Sequence, residues 1–226
     1  MPPRTLIDRT LLALALAVLA ASPVLAFLVP GYFSTTFAAE DGPVESGTAL
    51  MLFAAGALLA ARAPGFARAG RRGAAALTVL YAALFVFAAG EEISWGQRIF
   101  GWGTPEFFAA NNYQKETNLH NLTIGGHRLG RTLFGSVLTT VLLLYLVVLP
   151  LLYGRVRLIR RLADGLAVPV PWPHHGLLAV GASVVVAAID VPRNWEVYEL
   201  VFALLAASIF LRPQNRAAEP DQKAPL

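Results

Sequence analysis

The sequence predicts an all-α fold, a polytopic transmembrane helical bundle of six spans with both termini cytoplasmic. Composition is the first reason: the chain is 56% hydrophobic and 14% charged, whereas soluble domains carry about a quarter charged residues. The second is length. A helix needs about 20 apolar residues to cross the hydrocarbon, and such runs recur at 11–29, 44–61, 74–89, 133–153, 177–188 and 195–211, the fifth being short. The third is the alternation of basic and acidic loops between them.

The first run follows Arg4 and Arg9 and offers a small residue for signal cleavage at Val24-Leu25-Ala26. It is longer than a usual signal core, and retaining it gives an even number of crossings. The second begins after Gly42 and Pro43, with Gly42 at N-cap, Pro43 at N1 and Glu45 at N3. The third is expected to continue as a helix past Gly90. Segment 90–131 is the one long outer loop, in which Thr104 at N-cap and Pro105 at N1 predict a short interfacial helix carrying Phe107 and Phe108. The fourth and fifth runs flank a basic loop, and a tight turn at Asp190 leads into the sixth. Residues 1–212 then form one domain, and the polar tail 213–226 is expected to be disordered.

Basic residues sort by side. Arg4, Arg9, Arg62, Arg68, Arg71, Arg72, Arg155, Arg157, Arg160, Arg161, Arg212, Arg216 and Lys223 are read as cytoplasmic, which leaves Arg98, Lys115, Arg128, Arg131 and Arg193 outside. Ten acids share that outer side. The net charge of +4 is explained by this sorting, and with no basic patch interleaved with stacking aromatics, nucleic-acid binding is excluded. The chain has no cysteine, which removes disulfides, thiolate metal sites and a cysteine nucleophile.

Four outer clusters can carry chemistry. Glu40, Asp41 and Glu45 stand at the start of the second span, where helix capping accounts for one carboxylate and not for three. In Gly90-Glu91-Glu92-Ile93-Ser94-Trp95-Gly96-Gln97-Arg98, a continuous helix would align Glu91, Ser94 and Arg98 on one face and Glu92, Trp95 and Ile99 on the next. Two carboxylates about 5 Å apart at an effective dielectric of about 20 repel by roughly 3 kcal/mol, so this pair calls for a cation, a proton or Arg98. His120 is the one imidazole in a run of amides and acids, Asn111 to Asn121, that is too polar to bury without partners. Glu196 and Glu199 lie at i, i+3 after Asp190, and Glu199 is a turn inside the apolar run. His127, His174 and His175 read as solvated.

Taken together, the strings around Glu45, GEEISWGQR and ETNLHN resemble a family of small uncharacterised bacterial multi-pass membrane proteins. The resemblance implies a bacterial inner membrane and no particular activity. The chain is also distantly similar to the membrane hydrolases that include alkaline ceramidases and adiponectin-type receptors, which bind zinc through three histidines with a serine and an aspartate nearby. Glu91, Ser94 and His120 match those ingredients. The H-x-x-x-H pair of a late span is missing, and Glu196 and Glu199 stand in its place, which implies a metal held mainly by carboxylates.

The expected site is therefore extracytoplasmic. Glu91, Glu92, Ser94, Arg98 and His120 are its catalytic candidates, and Glu45, Glu91, Glu92, His120, Glu196 and Glu199 could ligate a divalent metal ion. The leading expectation is a metal-dependent hydrolase or transferase acting on a lipid or lipid-linked substrate, with a free carboxylate as general base and Arg98 on an anionic headgroup. A proton- or cation-coupled transporter and a non-catalytic membrane scaffold are the alternatives. Membrane lipids are the expected partners, and oligomeric state is left open.

Overall fold

A computed structural model describes residues 5–125, 127–128 and 137–216. The main helices are α1 (Leu6–Leu28), α2 (Pro43–Arg68), α3 (Arg72–Glu92), the short α4 (Glu106–Asn111), α5 (Leu138–Tyr153), α6 (Arg157–Gly165), α7 (Pro173–Ala188) and α8 (Asn194–Leu211). The only strand pairing among the described residues is Thr123–Ile124 against His127–Arg128. Helices α1, α2, α3 and α8 are long and apolar enough to cross a bilayer, and α5 with α6 passes the same test as one element bent by 120°. The chain is thus a helical membrane protein with four or five such spans. Helix α7 is apolar but only 16 residues long, roughly 24 Å against about 30 Å of hydrocarbon. The start of the fourth expected span at 133–136, Arg131 and tail residues 217–226 lie outside the described residues.

Helix α8 is the axis of the bundle. It is apolar all round because it is covered nearly all round: Val197, Val201, Leu204, Leu205 and Ile209 are buried against α1, α2 and α7. The outer helices bury only one stripe each. Leu14, Leu16 and Phe27 of α1, Leu50 and Phe53 of α2, and Val79, Leu80 and Leu84 of α3 are exposed, as side chains solvated by lipid are.

Small residues let the backbones close up, as membrane helices require where lipid supplies no hydrophobic drive. A Cβ on Gly56 of α2 would lie 2.9 Å from Val86 Cγ2 and 3.1 Å from the Ala82 carbonyl of α3. The tightest approach is at Gly176 of α7, where a Cβ would stand 2.6 Å from the Leu146 carbonyl oxygen of α5. Pro150 follows four residues after Leu146, so it has no N–H to offer that carbonyl. The helix widens to i→i+5 bonding over Leu144–Val148, and Gly176 fits against the relaxed turn.

The arginine-rich end is closed by a buried polar network. Ser208 Oγ donates to Asp8 Oδ1 at 2.6 Å and lies 3.0 Å from His175 Nε2, while His175 Nδ1 accepts the Trp172 N–H at 3.0 Å. With the serine proton on Asp8 and Nδ1 accepting, the imidazole is the neutral tautomer that donates from Nε2. This corrects the solvated reading of His175, which is 1% exposed. It also corrects part of the tail. Residues 213–216 pack back on the bundle, with Gln214 N–H donating to Val170 O at 2.7 Å and Asn215 Oδ1 accepting the Val170 N–H at 3.0 Å.

Candidate functional site

The four acidic segments meet at the opposite end of the bundle. Helix α2 begins as its sequence dictates, with Gly42 at N-cap and Pro43 at N1, and Glu45 in the first turn accepts the Asp41 N–H. Helix α3 does run past Gly90, but it stops at Glu92. Ser94 and Trp95 adopt positive φ of 47° and 56°, so Glu91, Ser94 and Arg98 do not form one helical stripe. The reversal folds the Trp95 indole over Gly90, where a Cβ would sit 2.9 Å from Cε3, and Trp95 Nε1 donates to Glu91 Oε1 at 2.8 Å.

That turn changes the role of each residue around it. Glu91 is buried and uses its other oxygen, Oε2, to accept the backbone N–H groups of Leu119 at 2.6 Å and His120 at 3.1 Å. His120 Nδ1 lies 3.6 Å from the same oxygen. Ser94 Oγ donates to Glu116 Oε2 at 2.6 Å and accepts from Asn118 Nδ2 at 2.9 Å. Arg98 sits among four acids, at 2.5 Å from Glu116, 2.8 Å from Asp41, 3.6 Å from Glu45 and 3.9 Å from Glu40. It is not the partner of the Glu91–Glu92 pair.

The loop amides are satisfied by one another, as their number requires. Asn112 Nδ2 donates to both oxygens of Asn118 at 2.9 Å, and Asn112 Oδ1 accepts the Gln114 N–H. Gln114 in turn bonds Glu40 and Asn121. The loop helix starts one residue later than its sequence suggests: Pro105 is the N-cap, and Thr104 Oγ1 instead donates to Lys115 O at 2.6 Å and accepts from Gln97.

Within this frame lies a polar cavity of about 110 Å³ lined by Glu40, Glu45, Glu92, Glu116, Glu196, Glu199, His120, Arg193 and the amides of Gln114, Asn118 and Asn121. Carboxylate oxygens of Glu92, Glu196 and Glu199 all lie within 4.8 Å of one another. Arg193 reaches Glu40 at 3.6 Å and Glu196 at 4.0 Å. Among the described residues Glu92 and Glu199 have no cation within ion-pair distance. Burial favours the neutral imidazole of His120, but its bond to Glu91 and the charges of Glu92, Glu91 and Glu196 outweigh that and raise its pKa above the ordinary value.

Of the candidates read from sequence, Glu45, Glu92, His120, Glu196 and Glu199 line the cavity, whereas Glu91, Ser94 and Arg98 build its wall from behind. Sequence reasoning passed over Glu116 and Glu40 as the partners of Arg98. The amide-rich run flagged the loop, but nothing in its spacing marked Asn118, 1% exposed, as the hub. No family model, curated protein or solved structure matches the chain.

Proposed function

We propose that this membrane protein binds a divalent cation in an extracytoplasmic carboxylate and imidazole site, and that the bound ion serves a hydrolase or transferase acting on a lipid or lipid-linked substrate. The observation that carries the reading is the triple Glu92, Glu196 and Glu199, with oxygens within 4.8 Å and His120 beside them on one cavity. Oxygen ligands of one divalent ion at about 2.1–2.5 Å lie within about 5 Å of one another, a bound that the three carboxylates meet. A cavity of about 110 Å³ has room for several water-sized groups. It suits an ion with part of its hydration shell, and a larger substrate would present only its reacting group there.

In this reading Glu92, Glu196 and Glu199 hold the ion with Glu45 and His120 in reach, and Glu91, Ser94 and Arg98 are positioning residues. The ion would polarise a phosphoryl or carbonyl oxygen or lower the pKa of water. His120, with Nδ1 facing Glu91 Oε2 at 3.6 Å, would carry its proton on that side and present Nε2, beside Asn121 Nδ2 at 3.0 Å, as its other edge. Among the described residues, five of the six non-glycine residues at positive φ, namely Asp41, Ser94, Trp95, Lys115 and Arg193, belong to these segments, and such strain gathers at functional sites.

A bacterial inner membrane, six crossings with α7 as the short fifth, and cytoplasmic termini complete the proposal, supported by the arginine sorting and by the resemblance of the GEEISWGQR and ETNLHN strings. One observation favours cation- or proton-coupled transport instead. Helix α8 carries Glu199 near one end and the buried Ser208, Asp8 and His175 network at the other. Against it, the stretch between is apolar, and Phe85 packs on Phe202 and Phe210 at 6.4 and 4.9 Å, so the acids face one side only.

The test is metal content and ion-dependent melting of the purified protein, with calcium, magnesium, manganese and zinc added singly. The reading expects about one ion per chain and a melting temperature that rises with ion concentration, both lost in Glu92→Gln and Glu199→Gln. Melting that ignores all four ions, or that responds equally in the variants, would leave a scaffold.

A further inference from the structure

Helix α6 lies at the arginine-rich end, where α5 gives way to it through a 120° bend. Its nine residues, RLIRRLADG, divide cleanly. At about 100° per residue, Leu158 and Leu162 share a stripe that Leu166 extends, Ile159 and Ala163 share the next, and Arg157, Arg160, Arg161 and Asp164 occupy the opposite arc. The protein covers only one edge of the apolar face. Ala163 is buried, yet Leu158, Leu162 and Leu166 are 64%, 50% and 46% exposed.

The polar arc is equally uneven. Asp164 is turned into the protein, where its carboxylate accepts from Tyr153 Oη at 3.0 Å and Asn215 Nδ2 at 3.1 Å. Arg160 braces the bend by donating to the carbonyls of Tyr153 and Gly154. Arg157 and Arg161, one turn apart and exposed, have no carboxylate partner among the described residues. An exposed leucine stripe beside two uncommitted guanidiniums, on a helix set off from the apolar α5 by residues 154–156 and a 120° bend, is the arrangement of a helix lying in the membrane interface.

We infer that α6 is an anionic-phospholipid site: Leu158, Leu162 and Leu166 enter the acyl layer, and Arg157 and Arg161 bind the phosphates of acidic headgroups. A soluble acidic protein would meet the arginines but would leave the leucines, at the level where α5 leaves the bilayer, in water. The bilayer satisfies both faces at once. This site is remote from the carboxylate cavity and independent of its function.

The chain has no cysteine, so Leu158→Cys in the full-length protein takes a single environment-sensitive fluorophore. In bilayers of phosphatidylcholine with phosphatidylglycerol the label is expected to emit as from an apolar medium. Nitroxide-bearing phosphatidylglycerol should quench it more than nitroxide-bearing phosphatidylcholine at equal mole fraction. Each basic residue at an acidic surface contributes roughly a 5-fold preference, so Arg157→Gln with Arg161→Gln should bring the two lipids to near parity, as should about 1 M salt. Water-like emission, equal quenching by both lipids in the parent, or an unchanged preference in the double variant would each overturn the assignment.

Discussion

Glu91 Oε2 accepts the backbone N–H of Leu119 at 2.6 Å, 28 residues further along the chain. Through that bond and the one to His120 N–H, the end of α3 fixes the loop that carries the imidazole. Replacing Glu91 with alanine orphans three donors, Trp95 Nε1, Leu119 N and His120 N, each worth about 1–3 kcal/mol when buried without a partner. These bonds are only partly buried, so Glu91→Ala should cost about 2–3 kcal/mol in all, and Glu91→Gln, which keeps one acceptor oxygen, about 1 kcal/mol. Thermal melting in detergent measures both. Equal losses from the two substitutions would show that the loop is held by something else.

Glu199→Gln separates an ion site from a structural cluster by the sign of two effects. Carboxylates with oxygens within 4.8 Å of one another repel by roughly 3 kcal/mol at an effective dielectric of about 20 when both are charged, and less where they share a proton, so removing one should stabilise the ion-free protein by up to about 3 kcal/mol. The same substitution removes a ligand and should abolish stabilisation by added cation. Chelator-treated and ion-saturated samples, melted side by side, read the two signs. A variant less stable in both conditions would point to a packing role for Glu199.

Arg98 should behave as a charge hub. Its guanidinium reaches Glu116, Asp41, Glu45 and Glu40, and Arg98→Ala leaves those acids facing one another. A loss of about 1–3 kcal/mol follows for a partly exposed site, with Arg98→Lys recovering part of it, since a point charge cannot span the fork of oxygens. Salt distinguishes repulsion from lost packing: between about 0.05 and 1 M the screening length shrinks from over 10 Å to about 3 Å, so the alanine variant should gain stability as salt rises. A flat salt profile would assign Arg98 to packing.

The class of fold was legible because lipid imposes it: apolar length follows from solvation, and four or five of the expected runs return as helices long and apolar enough to cross a bilayer. Topology put Glu45, Glu92, Glu196 and Glu199 at one level, and only the packing of the helices gathers them on one cavity. What the sequence hid was set by backbone breaks and long-range partners. Positive φ at Ser94 and Trp95 turns the chain just after Glu92, so a helical wheel through Arg98 misplaces the guanidinium and the serine. His175 looked solvated because its partners, Ser208 and Asp8, come from α8 and α1 and are distant in the chain.

Gly176→Ala tests the fit of α7 on α5. The added Cβ would meet the Leu146 carbonyl at 2.6 Å, a backbone atom that cannot swing aside, so α7 must shift. Overpacking of this kind costs about 1–3 kcal/mol. Gly181→Ala, where a Cβ meets nothing within 4 Å, is the control and should be neutral or slightly stabilising through helix propensity. Similar melting temperatures for the two alanine variants would mean that α7 does not pack at this register.

Ser208→Ala separates the two rival uses of α8. Its hydroxyl donates to Asp8 and meets the ring of His175, so its loss should cost about 1–3 kcal/mol by loosening the joint of α1, α7 and α8. If that joint is structural, cation affinity at the acidic end, more than a dozen ångströms away along the helix at about 1.5 Å per residue, should stay within about 2-fold of the parent once melting is allowed for. If α8 instead couples the two ends, the variant should bind the cation normally in detergent yet fail to move it, or protons, in sealed vesicles with the parent as reference. Parent vesicles that move neither, with cation binding intact in both proteins, would leave catalysis at a one-sided site as the use of the bound ion.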